Sequence, residues 1–310
     1  MLNRRKFLQQ SALTAGALLV SHYANASDVL TQQLTILHTN DVHSRLEPFP
    51  MDGGRNQGLG GVAARAKLIT DIRSKEEQVL LLDAGDMFQG TPFFNLYKGE
   101  PEIKAMTQMG YDACTMGNHD FDAGLENLVT QLNHASFPVI ISNYDFTNTP
   151  MEGKYVPYKV FKKGKLKIGV TGIGIEIKGL VADNLAGNTK YLNPIERLNE
   201  TAELLRKQKD CDMVICLSHL GYQYKEEPNK VSDIILARET SGVDLIIGGH
   251  THTFMNEPLL VKNKMGSDVI INQVGFGGIN LGRLDFEFMP GKKKNLSKSH
   301  SVVIGKKTSE

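Results

Sequence analysis

The 310-residue sequence lacks the features that would assign it to several large protein classes. It has no disulfide framework: its three cysteines, Cys114, Cys211 and Cys216, are an odd number, and two of them lie in apolar runs, where they read as small core residues. It has no excess of either charge, with 35 basic against 34 acidic residues, so nothing points to non-specific nucleic-acid binding. Beyond the N-terminus, no apolar run approaches the roughly 20 residues that cross a bilayer, which argues against membrane insertion. Internal repeats and low-complexity linkers are missing as well. The Gly-rich stretch Gly53 to Gly61 lacks the glycine order of a phosphate-cradling loop. What is there is an ordinary globular composition, 41% hydrophobic and 22% charged, in a chain long enough to bury a sizeable core.

Residues 1–26 differ in kind. Arg4, Arg5 and Lys6 precede an apolar stretch from Ala12 to Val20, and Ala24-Asn25-Ala26 follows, the layout of a cleaved secretory signal peptide. Paired arginines before Phe7-Leu8 resemble the twin-arginine signal that exports folded proteins, with an ordinary Sec signal as the alternative. Either route predicts a periplasmic or extracellular protein. No cysteine sits at the cleavage site, so no lipid anchor is expected. Cleavage removes three basic residues and no acid, which takes the net charge from +1 to −2. Residues 27–310 are then expected to form one large domain.

Within it, short apolar runs alternate with amphipathic stretches. Strands are expected at Leu34–Leu37, Val79–Leu82, Ala113–Met116, Val139–Ile141, Tyr155–Val160, Leu166–Thr171, Met213–Leu217 and Val243–Ile247. Helices are expected near Val62–Arg73, Glu102–Met109, Leu125–Asn133, Ile195–Lys207 and Val231–Arg238. This alternation predicts an α/β fold. Asp268 to Phe288 is strand-like, and the lysines at 292–294 and 306–307 read as a solvated turn and a frayed terminus.

Five of the apolar runs end in polar loops: Asp41-Val42-His43, Gly85-Asp86, Gly117-Asn118-His119-Asp120-Phe121-Asp122, Ser218-His219 and Gly249-His250-Thr251-His252. Each alone reads as a turn. Sites in α/β sheets form at the carboxyl ends of strands, however, and five such coincidences point to one metal centre. Imidazole, carboxylate and amide oxygen without cysteine suit Zn, Mn or Fe rather than a structural zinc. Seven candidate ligands, Asp41, His43, Asp86, Asn118, His219, His250 and His252, exceed the needs of one ion and suit two divalent ions sharing a carboxylate. His119 beside Asp122 has the makings of a proton donor oriented by a carboxylate.

These motifs resemble the calcineurin-like metallophosphoesterases. Thr39-Asn40-Asp41-Val42-His43, Gly85-Asp86-Met87-Phe88-Gln89-Gly90-Thr91 and Asn118-His119-Asp120-Phe121-Asp122 are similar to the catalytic domain of bacterial periplasmic 5′-nucleotidases. The resemblance implies a four-layer α-β-β-α sandwich. It assigns one ion to Asp41, His43 and His252 and the other to Asn118, His219 and His250, with Asp86 bridging. His119 and Asp122 then serve the reaction, and Asn118 also faces the phosphate. In-line attack of a metal-activated water on a nucleotide 5′-phosphate or similar small ester is the implied chemistry. The same superfamily includes phosphodiesterases and sulfur-ester hydrolases, which stay open as alternatives. Full-length 5′-nucleotidases continue into a substrate-binding domain, so a split nucleotidase whose second chain supplies that domain is a further one. Phe93, Phe94 and Tyr97 are either a partial platform for substrate or core residues.

Overall fold

A computed structural model describes residues 31–289 and 293–305. The signal-peptide reading, and the readings of Lys292, Lys306 and Lys307, fall outside those residues. Two sheets face each other. The first runs Lys293–Val303, Asn280–Met289, Gln32–Thr39, Val79–Asp83, Ala113–Cys114, Val139–Ile140, Tyr155–Val156. The second runs Leu259–Lys262, Asp268–Asn272, Leu245–Gly248, Met213–Ser218, Leu166–Ile173, Tyr158–Lys163.

Strands buried on both faces explain why their sequences are continuous apolar runs rather than alternating ones. In the first sheet Leu34, Ile36, Leu80 and Leu82 meet Ile168, Val170, Ile215, Leu217 and Ile247 of the second, closing an apolar layer between the sheets. The opposite faces carry Leu37, Leu81 and Cys114 against Val62–Arg73, Glu100–Met109 and Leu125–Leu132. Val214, Cys216 and Ile246 lie against Pro194–Lys207 and Asp233–Glu239. The result is the four-layer α-β-β-α sandwich. Pro194–Lys207 starts where Asn193 accepts the backbone N–H groups of Ile195 and Glu196, with Pro194 in the first turn. All three cysteines are free and buried. Among the described residues, no helix is long and apolar enough to cross a membrane.

Two details differ from the sequence expectations, and a third resolves an alternative left open there. Tyr155–Val160 is not one strand: it divides at Pro157, so Tyr155–Val156 joins the first sheet and Tyr158–Lys163 the second. The lysine-rich stretch expected as a solvated turn enters an 11-residue edge strand, Lys293–Val303, paired antiparallel with Asn280–Met289. Lys294 is anchored there by Asp244, 2.8 Å away, and Leu296 packs against the inter-sheet core. Lysines on an edge strand discourage pairing with other chains, so its polarity suits its place. Phe94 is a core residue stacked on Phe88, whereas Phe93 and Tyr97 stack on each other toward solvent.

One buried polar pair also crosses between the sheets. Asn272 Nδ2 donates to His38 Nε2 at 2.8 Å, which fixes a neutral ring, and burial pushes the His38 pKa down to about 3. An unfolded histidine takes up its proton near pH 6.5. Below that pH the unfolded chain binds a proton that the folded chain refuses, so stability is present at neutral pH and lost as pH falls from about 6.5 toward 3. For the chelator-treated protein, His38→Gln is expected to flatten the acid decline in unfolding free energy by up to about 1.4 kcal/mol per pH unit. Denaturant titrations at pH 7, 6 and 5 check this, and parallel slopes for the two proteins would refute it.

Candidate metal centre

The parallel strands of both sheets present their carboxyl ends on one edge of the sandwich, and the five polar loops meet there. Backbone bonds lock the loops of the first sheet together: Asp41 N donates to Gly85 O at 2.9 Å, His43 N to Asp86 O at 3.1 Å and Ser44 N to Met87 O at 2.9 Å. The second sheet is tied in by His250 N, which donates to both carboxylate oxygens of Asp41 at 3.0 Å.

Asp41, His43 and His252 form one group of ligand atoms and Asp86, His219 and His250 another, with the atoms in each group all within 4.8 Å of one another. Asn118 joins the second group, its Oδ1 lying 2.9 Å from His250 Nδ1. Asp86 touches both groups: its Oδ2 is 3.0 Å from His219 Nε2 and 3.8 Å from His43 Nε2. All seven residues expected as ligands therefore converge. His119 stands beside them, its ring 5.3 Å from that of His43, with Nδ1 bonded to Asp122 Oδ2 at 2.8 Å.

The backbone at this edge is strained in the same places. Asp41, His43, Asp86, His250 and His252 all have φ between 51° and 71°, the left-handed region that non-glycine residues rarely adopt. Such strain persists only where surrounding structure over-determines it, and here it aims side chains from neighbouring loops at two points. Gly117 has a related role. A Cβ there would come 2.5 Å from His219 Nε2 and would also overlap Asp86 Oδ1, so only glycine leaves this space open.

The donor set fits divalent cations. His219 Nδ1 is bonded to Ala84 O at 2.7 Å, which turns Nε2 toward the carboxylates, yet that buried nitrogen makes no well-aligned hydrogen bond even to Asp86 Oδ2, 3.0 Å away. His43 Nε2 and His252 Nε2 face each other at 3.0 Å, two nitrogens that could share one positive ion. Burial opposes a charge on His219, but Asp86 and Asp41 outweigh it and hold its pKa up to about 10, as expected of a buried, carboxylate-rich site that calls for positive charge. Burial lowers His250 to about 4, keeping that ring neutral and able to ligate. His119 is shifted upward, chiefly by its hydrogen bond to Asp122, which favours the protonated ring.

Sequence reasoning missed Asp120. Its carboxylate accepts four backbone N–H groups, from Gly117 at 2.8 Å, Met87 at 2.9 Å, Asp86 at 3.0 Å and Phe88 at 3.3 Å. It thereby fastens the Asp86 loop to the Asn118 loop. Its place between His119 and Phe121 was the available signal, since a fully buried aspartate needs partners of this kind. Asp233, whose carboxylate holds Ser218 Oγ at 2.5 Å beside His219, was missed too.

Residues 34–254 match the family described as Calcineurin-like phosphoesterase. The chain belongs to the calcineurin-like phosphoesterase family. Membership makes it a metal-dependent phosphoester hydrolase by class. Snake venom 5′-nucleotidase of Gloydius brevicauda is 35% identical over 300 residues, 90% of this chain and 49% of that protein. Among solved structures, a 5′-nucleotidase precursor from Thermus thermophilus superposes with a TM-score of 0.78 at 31% identity, over 88% of this chain and 55% of that one. The NAD nucleotidase of Haemophilus influenzae gives 0.77 at 26% identity, over 89% and 51%. The chain spans about half the length of the curated relatives it matches.

Proposed function

We propose that this chain is an exported phosphohydrolase that releases phosphate from nucleotide 5′-phosphates or similar small monoesters. The observation that carries the reading is the pairing of two ligand groups, joined by Asp86, with a carboxylate-held histidine beside them. Similarity to 5′-nucleotidases over nearly the whole described chain supports the substrate class.

Asp41, His43 and His252 would hold one divalent ion, and Asp86, His219, His250 and Asn118 the other. Two such ions supply Lewis acidity and water activation at neutral pH. The chain's own residues do the rest. Asn118 presents Oδ1 beside His250, which leaves its Nδ2–H for a phosphate oxygen. Asp122 accepts a hydrogen bond from His119 Nδ1–H and orients the ring, so that Nε2–H can pass its proton to the departing ester oxygen. The oxygen leaves as a neutral alcohol, and His119 recovers its proton from solvent through its partly exposed face.

The segment 1–26 directs export in this reading, and residues 27–310 act as one catalytic domain. The mature protein should then begin at Ser27, which N-terminal sequencing would settle. The decisive test of function is phosphate release. Purified protein loaded with Mn²⁺ or Zn²⁺ is expected to hydrolyse a nucleoside 5′-monophosphate faster than bis(p-nitrophenyl) phosphate or a sulfate ester, and chelation should abolish turnover. Loaded protein that turns over none of these esters would refute the proposal.

A further inference from the structure

The loop Gln273–Gly278 joins the second sheet to the first, running from the end of Asp268–Asn272 toward Asn280–Met289. It carries no titratable group and no candidate ligand. It nevertheless grips both sides of the Asp41, His43, His252 group.

On the Asp41 side, Gly277 N donates to Asp41 O at 2.7 Å and Val274 N to Asn40 Oδ1 at 3.0 Å. Asn40 Nδ2 in turn lies 2.6 Å from both Gly275 O and Asp41 Oδ2, so the loop reaches the carboxylate through one amide. On the His252 side, Gly275 N donates to Thr253 O at 3.0 Å, and the Phe276 ring stacks on His252 with centroids 5.1 Å apart and planes 19° from parallel. Phe49 and Phe254 meet Phe276 in edge-on contacts, at 6.2 and 5.9 Å, and hold it upright. Both flanking rings rest on glycine. A Cβ at Gly277 would come within 2.9 Å of the Phe49 ring, and one at Gly275 would overlap Phe254.

The stack matters because of what His252 lacks. His43 Nδ1 is bonded to Phe88 O and His219 Nδ1 to Ala84 O, carbonyls outside the ligand groups, whereas the contact of His250 Nδ1 with Asn118 Oδ1 stays within its own group. Among the described residues, the His252 ring has no hydrogen bond beyond the one to His43 within its own group. Its side chain is 40% exposed and its backbone is left-handed. The ring contact supplies the orientation that an outer hydrogen bond ordinarily gives a ligating imidazole. We infer that Phe276 is a positioning residue for His252, and that this stack selectively controls occupancy of one of the two metal positions.

This rests on the two-ion reading, and the experiment separates the two. Metal content per chain and calorimetric Mn²⁺ titration are compared for the wild type, Phe276→Leu and Phe276→Tyr. Phe161→Leu serves as a control, since Phe161 packs on the inter-sheet core away from the loops. The wild type and the control should each bind two ions. Phe276→Leu should keep one at wild-type affinity and weaken the other about 10–100-fold, and Phe276→Tyr should restore it. Two ions retained at full affinity in Phe276→Leu, or both weakened equally, would overturn the inference. A wild type that binds fewer than two ions would overturn the two-ion reading and this one with it. Should Phe276→Leu be too unstable to titrate, Asn40→Ala, which removes the side-chain link between the same loop and the Asp41 carboxylate, should show the same one-site loss.

Discussion

Asp86→Asn is expected to abolish turnover and to strip both metal positions. The carboxylate is buried, contacts His219 and His43, and accepts the backbone N–H of His119 at 2.8 Å. The opposing imidazoles, His219 first, overcome the burial penalty and hold it strongly ionised. Asparagine keeps the volume and one oxygen but removes the charge shared by the two groups. Losing one partner of a buried charge pair costs about 3–5 kcal/mol, a fall of roughly 10²–10⁴-fold in affinity. Metal content after dialysis measures this directly. The rise in thermal midpoint that added Mn²⁺ gives the wild type should shrink in parallel, because a ligand stabilises only to the extent that it binds. A variant that still holds two ions would show that Asp86 does not join the sites.

His119→Ala should behave in the opposite way: full metal content with turnover reduced about 10²–10⁴-fold, the usual contribution of a placed general acid. Its side chain is bonded to Asp122 and is absent from both ligand groups, so occupancy should not depend on it. The deficit should follow the leaving group. A nucleoside 5′-phosphate expels a poor alkoxide that needs the proton, whereas p-nitrophenyl phosphate expels a stable anion that does not. The variant should therefore lose far less activity on the aryl ester. Equal losses on the two substrates would mean that His119 acts on the phosphoryl group rather than on the departing oxygen. Asp122→Asn should give a smaller version of the same pattern, because the ring remains and only its orientation and charge are weakened.

Much of the architecture was legible because strands covered on both faces must be apolar throughout. Val79–Leu82 and Met213–Leu217 stand out from any helical pattern for that reason. The strand-end loops were legible as well, since Asp, Asn and His have few structural uses directly after such runs. Edge elements were harder. Lys293–Val303 is held by its partner strand and by Asp244, the latter distant in sequence, and its own residues read as polar chain. The turn of 3₁₀-helix at His119–Phe121 depends on amides gathered around Asp120 from another loop. Phe276 gave no signal at all. A phenylalanine between glycines reads as a loop residue, and only the arrangement of Phe49, Phe254 and His252 around it shows otherwise.

The sheet order also bears on when the centre can exist during synthesis. Gln32–Thr39, which precedes Asp41, is flanked by Asn280–Met289, and Thr35 is bonded to Asp285 across 250 residues of sequence. His219, His250 and His252 emerge well after the acidic loops they complete. A nascent chain thus displays Asp41 and Asp86 long before His219, His250 and His252, and the strand that flanks Gln32–Thr39 follows later still. If the two-ion reading holds, neither ligand group is complete before residue 252 has been made, so the compartment in which these strands fold would decide which ion is available to fill the site.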